Sequence, residues 1–345
     1  MKKAVRQFGC AVHGAGWVST EHIRAYMSNP HCRVAAISSR TEERARERMI
    51  GCGLECKVYT DYDQLLADPA VDCISICTPN HLHAQEAIKA AQAGKHIVIE
   101  KPAALNLGDL HAMQKAVSEA RVKTVVSFVL RWNPAFDVIK SLLAARAIGD
   151  LYYAEVDYWH GIGPWYKQFE WVYSKEKGGS SFLSAGCHAV DAIRYFVGSE
   201  VTEVCAFESG PPHAFGYEYS PTTVGIVKFA NGVIGKLSSI VEARLPYKFN
   251  IDLLGKEGAI RNNQLYSLTL MKGQTDMATI PTILPDSGDV THHPFQGEID
   301  HFVDCILNDI ESHVNLADAA KTHEACFALD ESAAKDGEKV RLPYR

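Results

Sequence analysis

No stretch of this 345-residue sequence approaches the ~18 consecutive apolar residues that a membrane helix requires, so an α-helical membrane protein is excluded. The basic opening and the partly apolar run after it resemble a secretion signal only superficially. Arg6 and Gln7 interrupt the run, a cleavage-like site is missing, and the segment leads straight into a glycine turn. Metal patterns are also missing. The ten cysteines include no C-x-x-C; Cys52 and Cys56, like Cys73 and Cys77, are separated by three residues and have no companion histidine cluster. Neither a zinc site nor a disulfide framework is therefore indicated. H-E-x-x-H, a Walker loop and a nucleophile elbow are absent too. Positive charge is not in excess: 35 Lys and Arg against 41 Asp and Glu leave a net charge of −6, which argues against a nucleic-acid or anionic-membrane partner.

What is present has the composition of an ordinary globular protein, 47% apolar and 22% charged, at a length that suits two domains. Free thiols in a chain without a secretion signal point to the cytoplasm. Over the first 130 residues, apolar runs alternate with helix-like segments. Strands are expected at Cys10–His13, Val34–Ser38, Lys57–Thr60, Val71–Thr78, His96–Glu100 and Thr124–Leu130. Helices are expected at about 19–29, 41–49, 62–67, 81–93 and 106–120. Continuous rather than alternating apolar strands fit a parallel sheet covered on both faces. Cys73, Ser75 and Cys77 should share one face of such a strand.

Near Arg131-Trp132-Asn133-Pro134 the pattern changes. After a helix at about 135–146, strand-like runs follow at 151–160, 201–208, 222–230, 233–242 and 249–254. Asn231-Gly232 favours a type I′ hairpin turn. A helix at about 181–196 interrupts the strands, and helices at about 296–308 and 317–335 close the chain. The expected architecture is α/β: an N-terminal Rossmann domain with a doubly wound parallel sheet (1–130), then a C-terminal α+β domain with a large, mostly antiparallel open sheet (131–345).

The first expected strand runs into Gly14-Ala15-Gly16-Trp17-Val18-Ser19, a G-x-G-x-x-G pattern with a small serine in third place. The first glycine permits a tight turn, the second lets backbone approach a pyrophosphate, and the third position needs only a small side chain; the helix N-terminus then receives the phosphates. A simple glycine turn is the competing reading, and the early βαβ context favours dinucleotide binding. The next strand ends in Ser38-Ser39-Arg40. Ser39 stands where an NAD site usually places an acid for the ribose hydroxyls, and Arg40 is suited to a 2′-phosphate, so NADP is favoured over NAD. The competing reading is that Arg40 merely caps a solvated turn.

Two further segments leave strands at the same edge: Thr78-Pro79-Asn80 with His83, and Glu100-Lys101-Pro102. A lysine there points into the crevice where such sheets bind ligands, although strand-end lysines are more often simply solvated. Together with the opening glycines and a later Gly186-Cys187-His188-Ala189-Val190-Asp191, these motifs resemble the glucose–fructose oxidoreductase / inositol dehydrogenase / rhizopine-catabolism (Gfo/Idh/MocA) family. The resemblance extends to Phe295-Gln296-Gly297-Glu298-Ile299-Asp300-His301-Phe302.

The resemblance implies an NAD(P)-dependent oxidoreductase that moves hydride between nicotinamide and a sugar, polyol or related carbohydrate. It implies a catalytic Lys101 beside the nicotinamide, His188 as acid/base, and a homodimer or homotetramer formed through the C-terminal sheet. Asp191, at i+3 from His188, either orients these groups or ties its helix to the sheet. One departure stands out: many family dehydrogenases carry an aspartate where this chain has Ser184, which can hydrogen-bond a hydroxyl but cannot carry charge. The run Tyr158-Trp159-His160-Gly161-Ile162-Gly163-Pro164-Trp165-Tyr166 offers substitutes in His160 and Trp165, with sheet packing as the plain alternative. A redox-neutral, glycosidase-like enzyme and a non-catalytic dinucleotide-binding regulator are the alternative functions.

Overall fold

A computed structural model describes residues 7–211, 213–285 and 288–344. Its described residues form two compact units. One runs to Val129 and takes in Pro294–Ala320; the other comprises Leu130–His293 and the residues from Lys321 on. The sequence places everything after 130 in the second domain, whereas 294–320 packs with the first.

The first unit is built on six parallel strands, β1 (Phe8–His13), β2 (Cys32–Ser38), β3 (Lys57–Tyr59), β4 (Cys73–Ile76), β5 (His96–Ile99) and β6 (Thr124–Val126), in the order β3-β2-β1-β4-β5-β6. Helices α1 (Ser19–Ser28), α2 (Glu42–Gly51), α3 (Tyr62–Ala67), α4 (His83–Gln92) and α5 (Leu107–Ala120) connect them. Complete burial of Ala11, Val12, Ile74, Ile97, Val98 and Ile99 is what the continuous apolar runs require of a sheet covered on both faces. Thr41 caps α2 by accepting from the Arg44 N–H, and Gly94 follows α4 at φ 69°. β6 ends earlier than its apolar run, because Ser127 turns its hydroxyl to the Glu298 carboxyl and the chain leaves the sheet.

Helices α6 (Pro134–Ala144), α7 (Phe169–Val172), α8 (Lys175–Gly178), α9 (Cys187–Val197), α10 (Phe295–Asn308) and α11 (Leu316–Ala334) follow. α10 belongs to the first unit, where Asp300 accepts from Asn29 at the end of α1 and Phe295 packs against His22 with ring centroids 5.0 Å apart.

The second unit holds a nine-stranded sheet of β7 (Leu151–Trp159), β8 (Val201–Glu208), β9 (Thr222–Phe229), β10 (Ile234–Ile240), β11 (Lys248–Gly255), β12 (Gly258–Arg261), β13 (Gln264–Ser267), β14 (Ala278–Thr279) and β15 (Val340–Arg341). Its order is β14-β13-β12-β11-β7-β10-β9-β8-β15; β7 pairs in parallel with β10, and the other pairs are antiparallel. The hairpin between β9 and β10 forms, but not through a type I′ turn. Gly232 has φ 88°, Asn231 does not have positive φ, and the Gly232 N–H reaches the Phe229 carbonyl, so the connection is a three-residue loop ending on a left-handed glycine. The expected helix at 181–196 begins instead as a π-helical turn, Phe182–Gly186, that passes into α9. A Cβ on Gly186 would lie 2.5 Å from Ser239, so the glycine lets this turn press onto β10.

Candidate active site

The carboxyl ends of the parallel strands carry the motifs expected to bind a dinucleotide. Gly14, at φ 99°, follows β1, and a Cβ there would sit 2.5 Å from the Cys77 carbonyl oxygen. Only glycine permits this turn. Ser19, fully buried, donates its hydroxyl to the Gly16 carbonyl at 2.6 Å, which explains why a small polar residue serves in the third place. The N-cap of α1, Val18, makes no side-chain cap, so the positive end of the helix is presented by backbone alone. Arg48 of α2, which the motif did not reveal, donates to the Ala15 carbonyl at 3.1 Å and to Thr20, bracing the loop with a cation. The loop thus has the shape and the charge to hold a pyrophosphate.

Beside it lies a cluster that sequence reasoning missed. His13 places Nδ1 2.6 Å from Ser38 Oγ and Nε2 3.1 Å from Glu86, stacks on Tyr62 at 4.1 Å, and thereby links β1 to α4; Glu86 also accepts from Thr78. Ser39 is buried, with its N–H on the Tyr59 carbonyl, and Arg40 is exposed. The end of β2 therefore offers a cation to solvent and no acid.

Glu100, Lys101 and Pro102 follow β5 under tight control. Glu100 is 8% exposed. Burial opposes its ionisation, but the hydrogen bond from His22 and the positive charge of His22, Lys101 and His83 outweigh this and hold the carboxyl below its ordinary value. His83 lies between two carbonyls, with Nδ1 2.8 Å from Pro102 and Nε2 2.7 Å from Thr78. It thus ties the Thr78-Pro79-Asn80 turn to the residue after Lys101. Asn80 is buried in the 3₁₀ turn that leads into α4. In α10, burial and the Glu100 charge push the Glu298 carboxyl well up, against the pull of the Ser127 hydrogen bond.

In the second unit, Ser184 lies in the π-helical turn and His188 is the second residue of α9, both under a tenth exposed. The Tyr219 hydroxyl stands 3.3 Å from Ser184, and Tyr158 lies parallel to the His188 ring at 6.3 Å. Asp191 is engaged elsewhere. Both of its oxygens accept from Arg131, at 2.7 and 2.6 Å, and Thr322 donates to one of them at 3.1 Å. This geometry favours a helix-anchoring role.

His160 sits between the Tyr166 hydroxyl at 2.8 Å and the Tyr158 hydroxyl at 3.2 Å. It lines an open cavity of about 520 Å³ together with Trp165, Tyr166, Arg244, Leu245 and Tyr247. Trp165 is 61% exposed and meets Phe215 edge-on at 5.0 Å, while Arg244 lies 4.3 Å over the same ring. Aromatic faces with a few polar edges suit a sugar ring. The aromatic run announced part of this wall; Arg244 and Tyr247, from a loop 80 residues on, carried no signal. No group of His, Cys, Asp or Glu among the described residues could hold a metal, and no helix among them is long and apolar enough to cross a membrane.

Comparison with known proteins agrees with this arrangement. Residues 8–128 match the oxidoreductase family with an NAD-binding Rossmann fold (GFO_IDH_MocA), and residues 136–261 match the GFO/IDH/MocA C-terminal domain. Scyllo-inositol 2-dehydrogenase (NAD(+)) of Bacillus subtilis is 27% identical over 90% of this chain and 91% of its own. Levoglucosan dehydrogenase of Pseudarthrobacter phenanthrenivorans is 28% identical over 72% of this chain and 71% of its own. A solved levoglucosan dehydrogenase, in complex with NADH and levoglucosan, superposes with a TM-score of 0.88 at 25% identity, covering 98% of this chain and 100% of that one. With both domains matched in order, the chain belongs to the GFO/IDH/MocA oxidoreductase family and is a nicotinamide-dinucleotide-dependent dehydrogenase.

Proposed function

We propose that this dehydrogenase oxidises a secondary hydroxyl of a cyclic polyol or sugar, or reduces the matching ketone, with Lys101 and His188 handling the proton. The observation that carries the reading is Lys101 itself: it leaves β5 at the strand end that also carries the glycine loop, and it is flanked by residues locked to α1 and α4. A dinucleotide whose pyrophosphate is held by that loop would supply the hydride acceptor or donor. The ammonium of Lys101 stabilises the alkoxide that develops on the reacting oxygen, and the His188 imidazole takes the proton. Ser184 supplies a hydroxyl, not a charge, where the family pattern commonly has an aspartate. Relatives named for inositol and levoglucosan support the substrate class.

The missing acid at the end of β2 and the exposed Arg40 favour NADP, while the relatives' names favour NAD. The ratio of kcat/KM for the two dinucleotides decides this. Ten free thiols fit a reducing cytoplasm, and the open outer face of the large sheet fits a homodimer or homotetramer. A panel of inositols, aldoses and anhydro sugars with NAD and NADP, followed by the absorbance of reduced nicotinamide, tests the reading. We expect turnover with a cyclic secondary alcohol, and a loss of at least ~100-fold in Lys101→Ala with dinucleotide binding retained. Undiminished turnover in Lys101→Ala would refute the assignment.

A further inference from the structure

A residue just beyond a strand's last ladder bond is ordinarily free to shift, yet hydride transfer demands fixed geometry from Lys101. A line of buried polar groups runs up to it from α1. The Tyr26 hydroxyl lies 2.8 Å from Ser75 Oγ, Ser75 Oγ 3.2 Å from His22 Nδ1, and His22 Nε2 3.0 Å from Glu100 Oε1. The other carboxylate oxygen, Oε2, accepts from the Lys101 N–H at 3.3 Å. Tyr26, Ser75 and His22 are wholly buried. An ionised carboxylate can only accept, so Nε2 of His22 carries a hydrogen and the ring faces one way, its other nitrogen held by the Ser75 hydroxyl, which the Tyr26 hydroxyl meets in turn.

We infer that His22 is a positioning residue for the reaction: it clamps Glu100 so that the carboxylate fixes the backbone from which the Lys101 side chain reaches its substrate. The inference rests on the role given to Lys101 above. Three observations converge on it. A string of four polar side chains in a dry interior costs more to bury than apolar packing would, so its value lies in orientation rather than in stability. Glu298, the second acid in the same interior, is met at both oxygens by the Ser127 hydroxyl, while Glu100 is the carboxylate that His22 meets. On the far side of Lys101, His83 holds the Pro102 carbonyl, so imidazoles from two helices bracket one lysine.

The test is a kinetic cycle on the full-length enzyme with its dinucleotide. His22→Ala should lower kcat by at least ~10-fold while changing the dinucleotide Kd by less than ~3-fold. His22→Gln, whose amide can place an N–H near the lost Nε2, should recover most of that rate. On a Lys101→Ala background, His22→Ala should cost nothing further, because the residue through which it acts is gone. Glu100→Gln keeps the packing, so it serves as the second variant if His22→Ala does not fold; its loss of kcat should likewise vanish on the Lys101→Ala background. Unchanged kcat in His22→Ala, equal losses with and without Lys101, or loss of dinucleotide binding shared by the Ala and Gln variants would each overturn the inference. Full activity in Lys101→Ala would instead refute the role of Lys101, a result visible before His22 is touched.

Discussion

At the scale of single residues, the most consequential contact in the second unit is the buried pair of Arg131 and Asp191, each side chain 3% exposed. Two parallel hydrogen bonds satisfy the carboxylate, and the guanidinium also lies 4.9 Å over the Tyr195 ring. Removing one partner strands the other charge away from water, a cost of about 3–5 kcal/mol. Asp191→Asn should therefore lower the urea midpoint strongly with an unchanged m-value. Replacing both residues by apolar ones of similar volume should restore much of the loss. A stable Asp191→Asn protein that has lost turnover would instead place Asp191 in the chemistry. From the sequence, Asp191 was visible only as a neighbour of His188 on a helix face. Its partner lies 60 positions upstream, where spacing rules do not reach. The same limit hid Arg48, His13, His22 and Arg244. In contrast, the glycine turn at Gly14 and the small residue at Ser19 were legible because they belong to one short motif at a strand-to-helix junction.

At the scale of elements, the π-helical turn at Phe182–Gly186 shows what periodicity can and cannot give. Helical spacing announced a helix over this segment, and Gly198 at φ 63° ends it as expected. The extra residue in the turn arises from packing against Ser239 and from an anchor at its start, neither of which is a local signal. That anchor is Ser180. It donates to Asp330 of α11 at 2.6 Å, and its own oxygen accepts from the Leu183 N–H. Burial pushes the Asp330 carboxyl up to about 7, against the pull of the Ser180 hydrogen bond. A carboxyl with a folded pKa above its unfolded value near ~3.9 favours folding while it is protonated. Its contribution is complete below pH ~4 and is lost as the pH rises through about 7. Asp330→Asn, which still accepts from Ser180, should therefore gain stability relative to the parent as the pH is raised from ~5 to ~8. Urea midpoints of the two proteins across that range check it, and a constant difference would show that Asp330 does not titrate there. Short elements fared worst. β12 to β15, α7 and α8 were not foreseen, since two to four residues are too few to display a period.

At the scale of the whole molecule, the alternation of strand and helix announced the parallel sheet, and tight turns announced the antiparallel one. The position of β7 between β11 and β10 could not be read, because it depends on pairings between strands about 80 to 100 residues apart. That order decides what the outer face of the large sheet presents. The opposite face is covered: Leu329 of α11 approaches Gly225 so closely that a Cβ there would clash at 2.4 Å. On the outer face, Phe207 pairs with Val224 and Cys205 with Ile226, leaving Phe207, Val224, Ile226 and Ile234 between 39 and 60% exposed. Next to this apolar strip, Lys236 bridges Glu155 and Asp157 of β7 at 2.8 and 2.7 Å, so one cation is shared between two acids. An apolar strip of this kind is suited to burial against a second copy of itself. Ile226→Asp places an unpaired carboxylate at the middle of that strip. If the sheet faces join two chains, light scattering should show the particle mass halved while far-UV circular dichroism stays unchanged. A particle mass that does not respond to Ile226→Asp would mean that the chains associate, if they do, through another surface.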